Sequence, residues 1–153
     1  MPKLDLTAIP TVVGSRYPAP LDEPCRTRRV QRLGAAAGLT HLGASRVVLP
    51  PGAWTSQRHW HFKDDELAIV LEGEVVLVTD AGEETLRAGD VCAFKPGVPD
   101  AHHAQNRSDR DAVLLAVSSR IEGDGAEFPG LDLRAAVGAG GVAQFTHRDG
   151  TPY

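Results

Sequence analysis

The sequence predicts an all-β protein, a sandwich or barrel of short strands, on three observations. Valine- and leucine-rich runs recur through the middle of the chain, each closed by a glycine, proline or aspartate corner. Sixteen glycines and eleven prolines supply more turns than a helical bundle needs. Proline or glycine also interrupts every window before residue 40 in which a helix-turn-helix would fit. At 153 residues the chain is expected to form one domain.

In order, residues 1–38 read as an N-terminal arm packed on the barrel. Five prolines in its first 24 residues leave room only for an edge strand at Thr11-Val12-Val13. Arg26, Arg28, Arg29 and Arg32 read as a solvated basic surface, with recognition of phosphate or carboxylate as the alternative. A helical turn is expected over 33–37, stopped by Gly38. The barrel is expected over 39–120. A strand over 39–49 ends at Pro50-Pro51-Gly52, and 53–58 is a loop. Runs 66–71 and 74–79 are joined tightly at Glu72-Gly73. The chain turns at 80–83, returns over 84–87, and turns again at Ala88-Gly89-Asp90. Strand 91–94 ends at Lys95-Pro96-Gly97, and 102–107 pairs with 112–118 around the turn 108–111. Residues 121–153 read as a C-terminal extension, with edge strands over 131–137 and 142–146 across a Gly-rich turn.

Composition narrows the function. A net charge of −4 argues against nucleic acid as a partner. No apolar run suits a membrane span and no secretory leader is evident, so the expected location is cytoplasmic. Cys25 and Cys92 have no CxxC spacing, which indicates neither a zinc knuckle nor a disulfide framework; Cys92 reads as a buried small hydrophobe.

The chemistry concentrates in two segments. On an extended chain His59 and His61 point to one side, and Glu66 shares a face with Ala68 and Val70. Two imidazoles and a carboxylate converging from adjacent strands suit a divalent transition metal: zinc, iron, manganese, nickel or copper. A further ligand is offered by His102 or His103, and Asn106 reads equally as a group that orients a ligand from behind or as a polar cap on a barrel strand. Of Asp64 and Asp65, the one nearer to Glu66 could replace it if the loop folds differently, although both read better as solvated loop carboxylates. Trp60 must point away from the histidines beside it, and His41 and His147 read as structural or solvent-facing.

Gly52, His59, His61, Glu66 and Gly73, followed by Gly89, Gly97, His102 and Asn106, resemble the two motifs of the cupin superfamily. The first spacer is one residue longer than usual. Lys95 stands where a proline is expected, and two extra residues precede His102. The wording GVPDAHHAQNRSDRDAV and the ending FTHRDGTPY resemble small single-domain bacterial cupins of a sugar-phosphate-isomerase-like group. The resemblance implies a double-stranded β-helix (jelly-roll) barrel, a homodimer, and His59, His61, Glu66 and His102 as metal ligands, with His103 competing for the last place. Lys95 reads better as a surface lysine at a strand end; if it faces the cavity with Val91 and Ala93 it is a candidate to hold an anion, as is Arg58 at the pocket mouth. Leu67, Ala68 and Ile69 replace the aromatic residues usual after the glutamate, so no stacking platform is expected there. The function implied is a metal-dependent enzyme, isomerase or dioxygenase in type, acting on a small polar or anionic molecule. A non-catalytic small-molecule-binding or sensor module is the alternative.

Overall fold

The longest antiparallel pairing runs between residues 42–49 and 112–119, and the remaining strands extend outward from it. The computed structural model describes residues 3–138 and 142–153. In chain order its strands are β1 (Thr11–Val13), β2 (Arg29–Arg32), β3 (Leu42–Leu49), β4 (Trp60–His61), β5 (Glu66–Glu72), β6 (Glu74–Thr79) and β7 (Gly82–Arg87). They continue as β8 (Val91–Phe94), β9 (His103–Gln105), β10 (Ala112–Ser119), β11 (Gly125–Glu127), β12 (Arg134–Val137) and β13 (Ala143–Thr146). One short helix, α1 (Leu33–Ala36), lies where the helical turn was expected.

The strands form a sheet ordered β1-β2-β3-β10-β5-β8, a second ordered β7-β6-β9 and a third ordered β13-β12-β11-β4. Every pairing among them is antiparallel, as an all-β jelly-roll requires. The core lies between the first two sheets. Val47, Leu49, Val70 and Leu114 come from one, and Val75, Leu77, Leu86 and Ala104 from the other. Each valine or leucine fully removed from water contributes about 1.5–3 kcal/mol.

Gly73 lets β5 turn directly into β6. Its φ is +73°, and a Cβ there would stand 2.9 Å from the Asp111 carbonyl oxygen, so glycine meets both constraints.

A smaller core of Ala126, Phe128 and Leu133 gathers Tyr17 and Leu21 from the N-terminal segment and Phe145 from β13. Tyr17 meets Phe128 edge-on at 5.8 Å and Phe145 at 5.2 Å. The two ends of the chain are thus packed together against one end of the barrel.

Two features depart from the sequence reading. Residues 29–32 are not simply a basic surface: they form β2, which pairs with both β1 and β3 and carries the chain start into the main sheet. The tail strands β12 and β13 pair with one another, but β12 is internal to its sheet and only β13 lies at an edge. Part of the Gly-rich turn expected between them, residues 139–141, lies outside the described residues.

Candidate metal centre

The two histidine segments are joined by their own backbones. His59 N–H donates to His102 O at 3.2 Å, and His102 N–H returns to His59 O at 2.9 Å. Gly97 N–H donates to His61 O at 2.9 Å. The first two bonds bring His59 and His102, more than forty positions apart, into one antiparallel bridge.

The imidazoles are then aimed. His59 Nδ1–H donates to Gln57 O at 2.9 Å, and His61 Nδ1–H donates to Asp124 Oδ2 at 2.6 Å. His102 Nδ1 lies 3.3 Å from Asp100 O. With each Nδ1 engaged, each Nε2 is free to face inward. They meet at Glu66, with His59 Nε2 3.9 Å from Oε2, His61 Nε2 3.7 Å from Oε1 and His102 Nε2 2.9 Å from Oε2.

Neighbouring ligand atoms around an ion with bonds of about 2.1 Å stand about 3.0 Å apart in an octahedron and about 3.4 Å in a tetrahedron. The observed separations bracket those values. Ligand atoms of His59, His61 and Glu66 lie within 4.8 Å of one another, and His102 joins them through Glu66. If His102 Nδ1–H serves Asp100, its Nε2 lone pair faces a carboxylate oxygen. A cation, proton or metal, must then join those two acceptors. The donor set fits a divalent transition metal.

Electrostatics agree. Burial pushes His59 down from 6.5 to about 4, against the pull of Glu66 and with the help of the two neighbouring imidazoles. Burial alone would raise Glu66. Its hydrogen bond to His102 and the charges of the three imidazoles prevail and bring it to about 2. A neutral imidazole beside an ionised carboxylate is the state that coordinates a metal.

Two aromatic rings brace this arrangement. Phe94 stacks on His102 with centroids 3.4 Å apart, and Phe128 on His59 at 5.5 Å. The aromatic surface absent after Glu66 is thus supplied by β8 and by the segment after β11.

His59, Glu66 and His102 border a cavity of about 380 Å³. Its floor is the apolar core (Val47, Val70, Leu77, Leu114), and its polar side includes Tyr17, Arg28, Ser45 and Ser118. Glu66, Ala68 and Val70 all face it, as their alternation predicts.

The other candidates are placed elsewhere. His103 is buried, but its Nδ1–H donates to Ser56 O at 3.0 Å and its Nε2 accepts from Gln105 Nε2 at 3.0 Å. With both nitrogens occupied it does not compete with His102. Asn106 orients no ligand: fully buried, it donates to Leu49 O and Arg110 O, each at 2.7 Å, and accepts from Ser108. It fixes the turn between β9 and β10 to the end of β3. Arg58 pairs with Asp80 in the turn between β6 and β7 and leaves the cavity mouth. In β8 it is Cys92 and Phe94 that line the main cavity, so Val91, Ala93 and Lys95 belong to the outer face. Lys95 borders a separate outer pocket of about 200 Å³ that also reaches His61 and Glu66. Cys92 is half-buried against the core and its thiol is pushed up by burial. Asp64 is not a solvated loop carboxylate: it accepts from Ile121 N–H at 2.7 Å and Ser119 Oγ at 3.3 Å.

Asp124 was not legible as a site residue. It is 2% exposed and orients His61 while accepting from Lys63 N–H at 2.8 Å. Its only sequence signal is an acid between Gly123 and Gly125.

A jelly-roll barrel with three imidazoles and a carboxylate converging at one end is the architecture of a cupin, and the chain belongs to that superfamily. Residues 45–118 match the cupin domain family. A solved structure from Silicibacter pomeroyi, described as a sugar phosphate isomerase from a cupin superfamily, is 41% identical, with a TM-score of 0.93 over 99% of this chain and 96% of that one. A structure from Acidithiobacillus ferrooxidans is 24% identical, with a TM-score of 0.72 over 83% and 80%. The polyketide cyclase of Streptomyces resistomycificus shares the fold at 19% identity, with a TM-score of 0.62 over 78% and 79%. No curated protein matches the chain. No helix among the described residues is long and apolar enough to cross a membrane.

Proposed function

We propose that the protein is a metal-dependent isomerase acting on a small polar or anionic molecule. His59, His61, Glu66 and His102 hold the ion. The observation that carries this reading is the meeting of three Nε2 atoms at one carboxylate beside the cavity. A divalent transition ion supplies a Lewis acid that polarises a carbonyl or hydroxyl oxygen. The chain does the rest. Gln57 O and Asp124 fix two imidazoles in the tautomer that presents Nε2. Phe94 and Phe128 hold the rings in place, and the apolar floor limits water around the bound molecule. Isomerisation moves a proton between neighbouring carbons and needs no oxidant, and the name of the Silicibacter pomeroyi relative supports it over an oxygenase reaction. Exposed Val12 and Val13 on the edge strand β1 support a homodimer that covers them.

The test is elemental analysis of protein grown without added metal, then a screen of sugar phosphates and related hydroxy-carbonyl compounds with that metal restored. About one ion per chain is expected, with conversion abolished by chelation. Absence of bound metal would overturn the reading; metal without conversion of any compound would assign the chain to non-catalytic binding.

A further inference from the structure

The cavity carries more positive charge than a metal centre needs. Three guanidinium groups, from Arg28, Arg32 and Arg120, border it against the single carboxylate of Glu66. This is a local reversal of sign in a chain of net charge −4. Strand register explains the placement. Alternation turns Arg28, Val30 and Arg32 toward the cavity and Arg29 and Gln31 to the opposite face. Arg32 pairs with Ser45 of β3. One step further from the core, Gly43 pairs with Ser118 and Ser118 with Glu66. Arg120 follows on the Ser118 face. A Cβ at Gly43 would stand 2.6 Å from Ser118 Oγ and 3.4 Å from Arg120 Nε, so the bare glycine is the space over which both side chains lie.

Arg28 is tied down, donating to Gly14 O at 3.0 Å and to Thr55 O. Arg32 and Arg120 differ. Of the three arginines that border the cavity, these two alone have neither an acidic partner nor a carbonyl acceptor among the described residues, unlike Arg107, which pairs with Glu83 at 2.7 Å outside it. Two free guanidinium forks with hydroxyls beside them, at the rim of a concave site, match an oxyanion in charge and donor geometry. Lines of field converging in such a cleft also raise the local concentration of anions.

We propose that Arg32 and Arg120, with Ser45 and Ser118, form an oxyanion subsite for the terminal phosphate or carboxylate of a small bifunctional molecule whose other end meets the histidine–glutamate centre. The second half of this statement rests on the metal-dependent reading above; the first half does not. β2 and β5 stand three strand spacings apart, about 14 Å along the sheet, and the arginine side chains shorten that gap. The molecule that bridges it is a few carbons long.

The test uses three probes on metal-loaded protein, read by titration calorimetry: glycolate, malate and 2-phosphoglycolate. Glycolate offers only the metal-facing end; malate adds a carboxylate and phosphoglycolate a phosphate. Wild type should bind at least one of the latter two about tenfold more tightly than glycolate, and the stronger identifies the group. In the Arg32→Gln, Arg120→Gln double variant that advantage should vanish while metal content and glycolate affinity hold. Both side chains are exposed, so folding should be unchanged, and an equal Tm checks it. An advantage that persists in the double variant, or is absent from wild type, overturns the subsite. Inorganic phosphate titrated into metal-stripped protein separates the two readings. Binding that depends on the arginines there supports the subsite even where elemental analysis has removed the metal, and its absence in protein that does hold metal counts against the subsite alone.

Discussion

The central barrel and the two chain ends contribute to the site in different currencies. The barrel, the part matching the cupin domain family, supplies Glu66 and His102 and the bridge that brings His59 and His61 to them. The ends supply what those groups lean on: Asp124 behind His61, Phe128 behind His59, and Tyr17, Arg28, Arg32 and Arg120 around the cavity. The barrel thus carries the candidate donors and, through Gln57 O and Phe94, positions two of them, whereas the flanks orient His61 and supply much of the polar lining of the cavity. That division fits a fold that hosts unrelated chemistries, since the flanks can change while the donors stay.

The comparison breaks first at a donor. His59→Ala should reduce the metal content of purified protein to background, the largest effect expected; content equal to wild type removes His59 from the ligand set and the barrel from its assigned role. On the flank, Phe128→Ala should cost about 3–5 kcal/mol in urea unfolding, because the ring is 2% exposed and packs on Tyr17 as well as His59. A loss below about 1 kcal/mol would mean that the ends sit loosely on the barrel. Asp124→Asn sharpens the point, since it keeps the shape and removes the charge that anchors the His61 Nδ1–H. Metal affinity should fall about 10–100-fold with only a small change in Tm. Unchanged affinity would show that the barrel alone sets its donors.

The same division explains what the sequence could say. The barrel strands were legible because each has one face on an apolar core, so alternation and glycine corners mark them, as in 74–79. The candidate donors His59, His61, Glu66 and His102 were suggested as a set by the motif resemblance alone, because their approach depends on a backbone bridge between residues 59 and 102 that no local pattern encodes. β2 was not legible. Its two inward side chains are Val30 and Arg32, the latter at the cavity rim, so Arg-Val-Gln-Arg shows no polar-apolar alternation. The face of Lys95 could not be chosen for a related reason: Val-Cys-Ala-Phe before it is apolar on both sides, and Val91 is 55% exposed. Asp124 could not be seen because its meaning lies in a contact with a histidine 63 positions earlier.

The smallest expected effect is one of pH, and it separates the donor from its surroundings. In the metal-free fold His59 is held near 4 against 6.5 when exposed, chiefly by burial. Between those values the unfolded chain binds the proton and the folded one does not. The stability that a neutral His59 contributes is therefore fully present above pH 6.5 and is lost as pH falls toward 4. The slope from this one group is at most about 1.4 kcal/mol per pH unit. Glu66, held near 2, extends the loss only below its ordinary value of 4.5. His103 is lowered by burial as well and adds to the upper window. Urea midpoints of metal-free protein should therefore fall from pH 7 to pH 5, and His59→Ala should make that fall shallower without removing it. A variant with the wild-type slope would move the titrating burial away from the barrel donor and onto other groups.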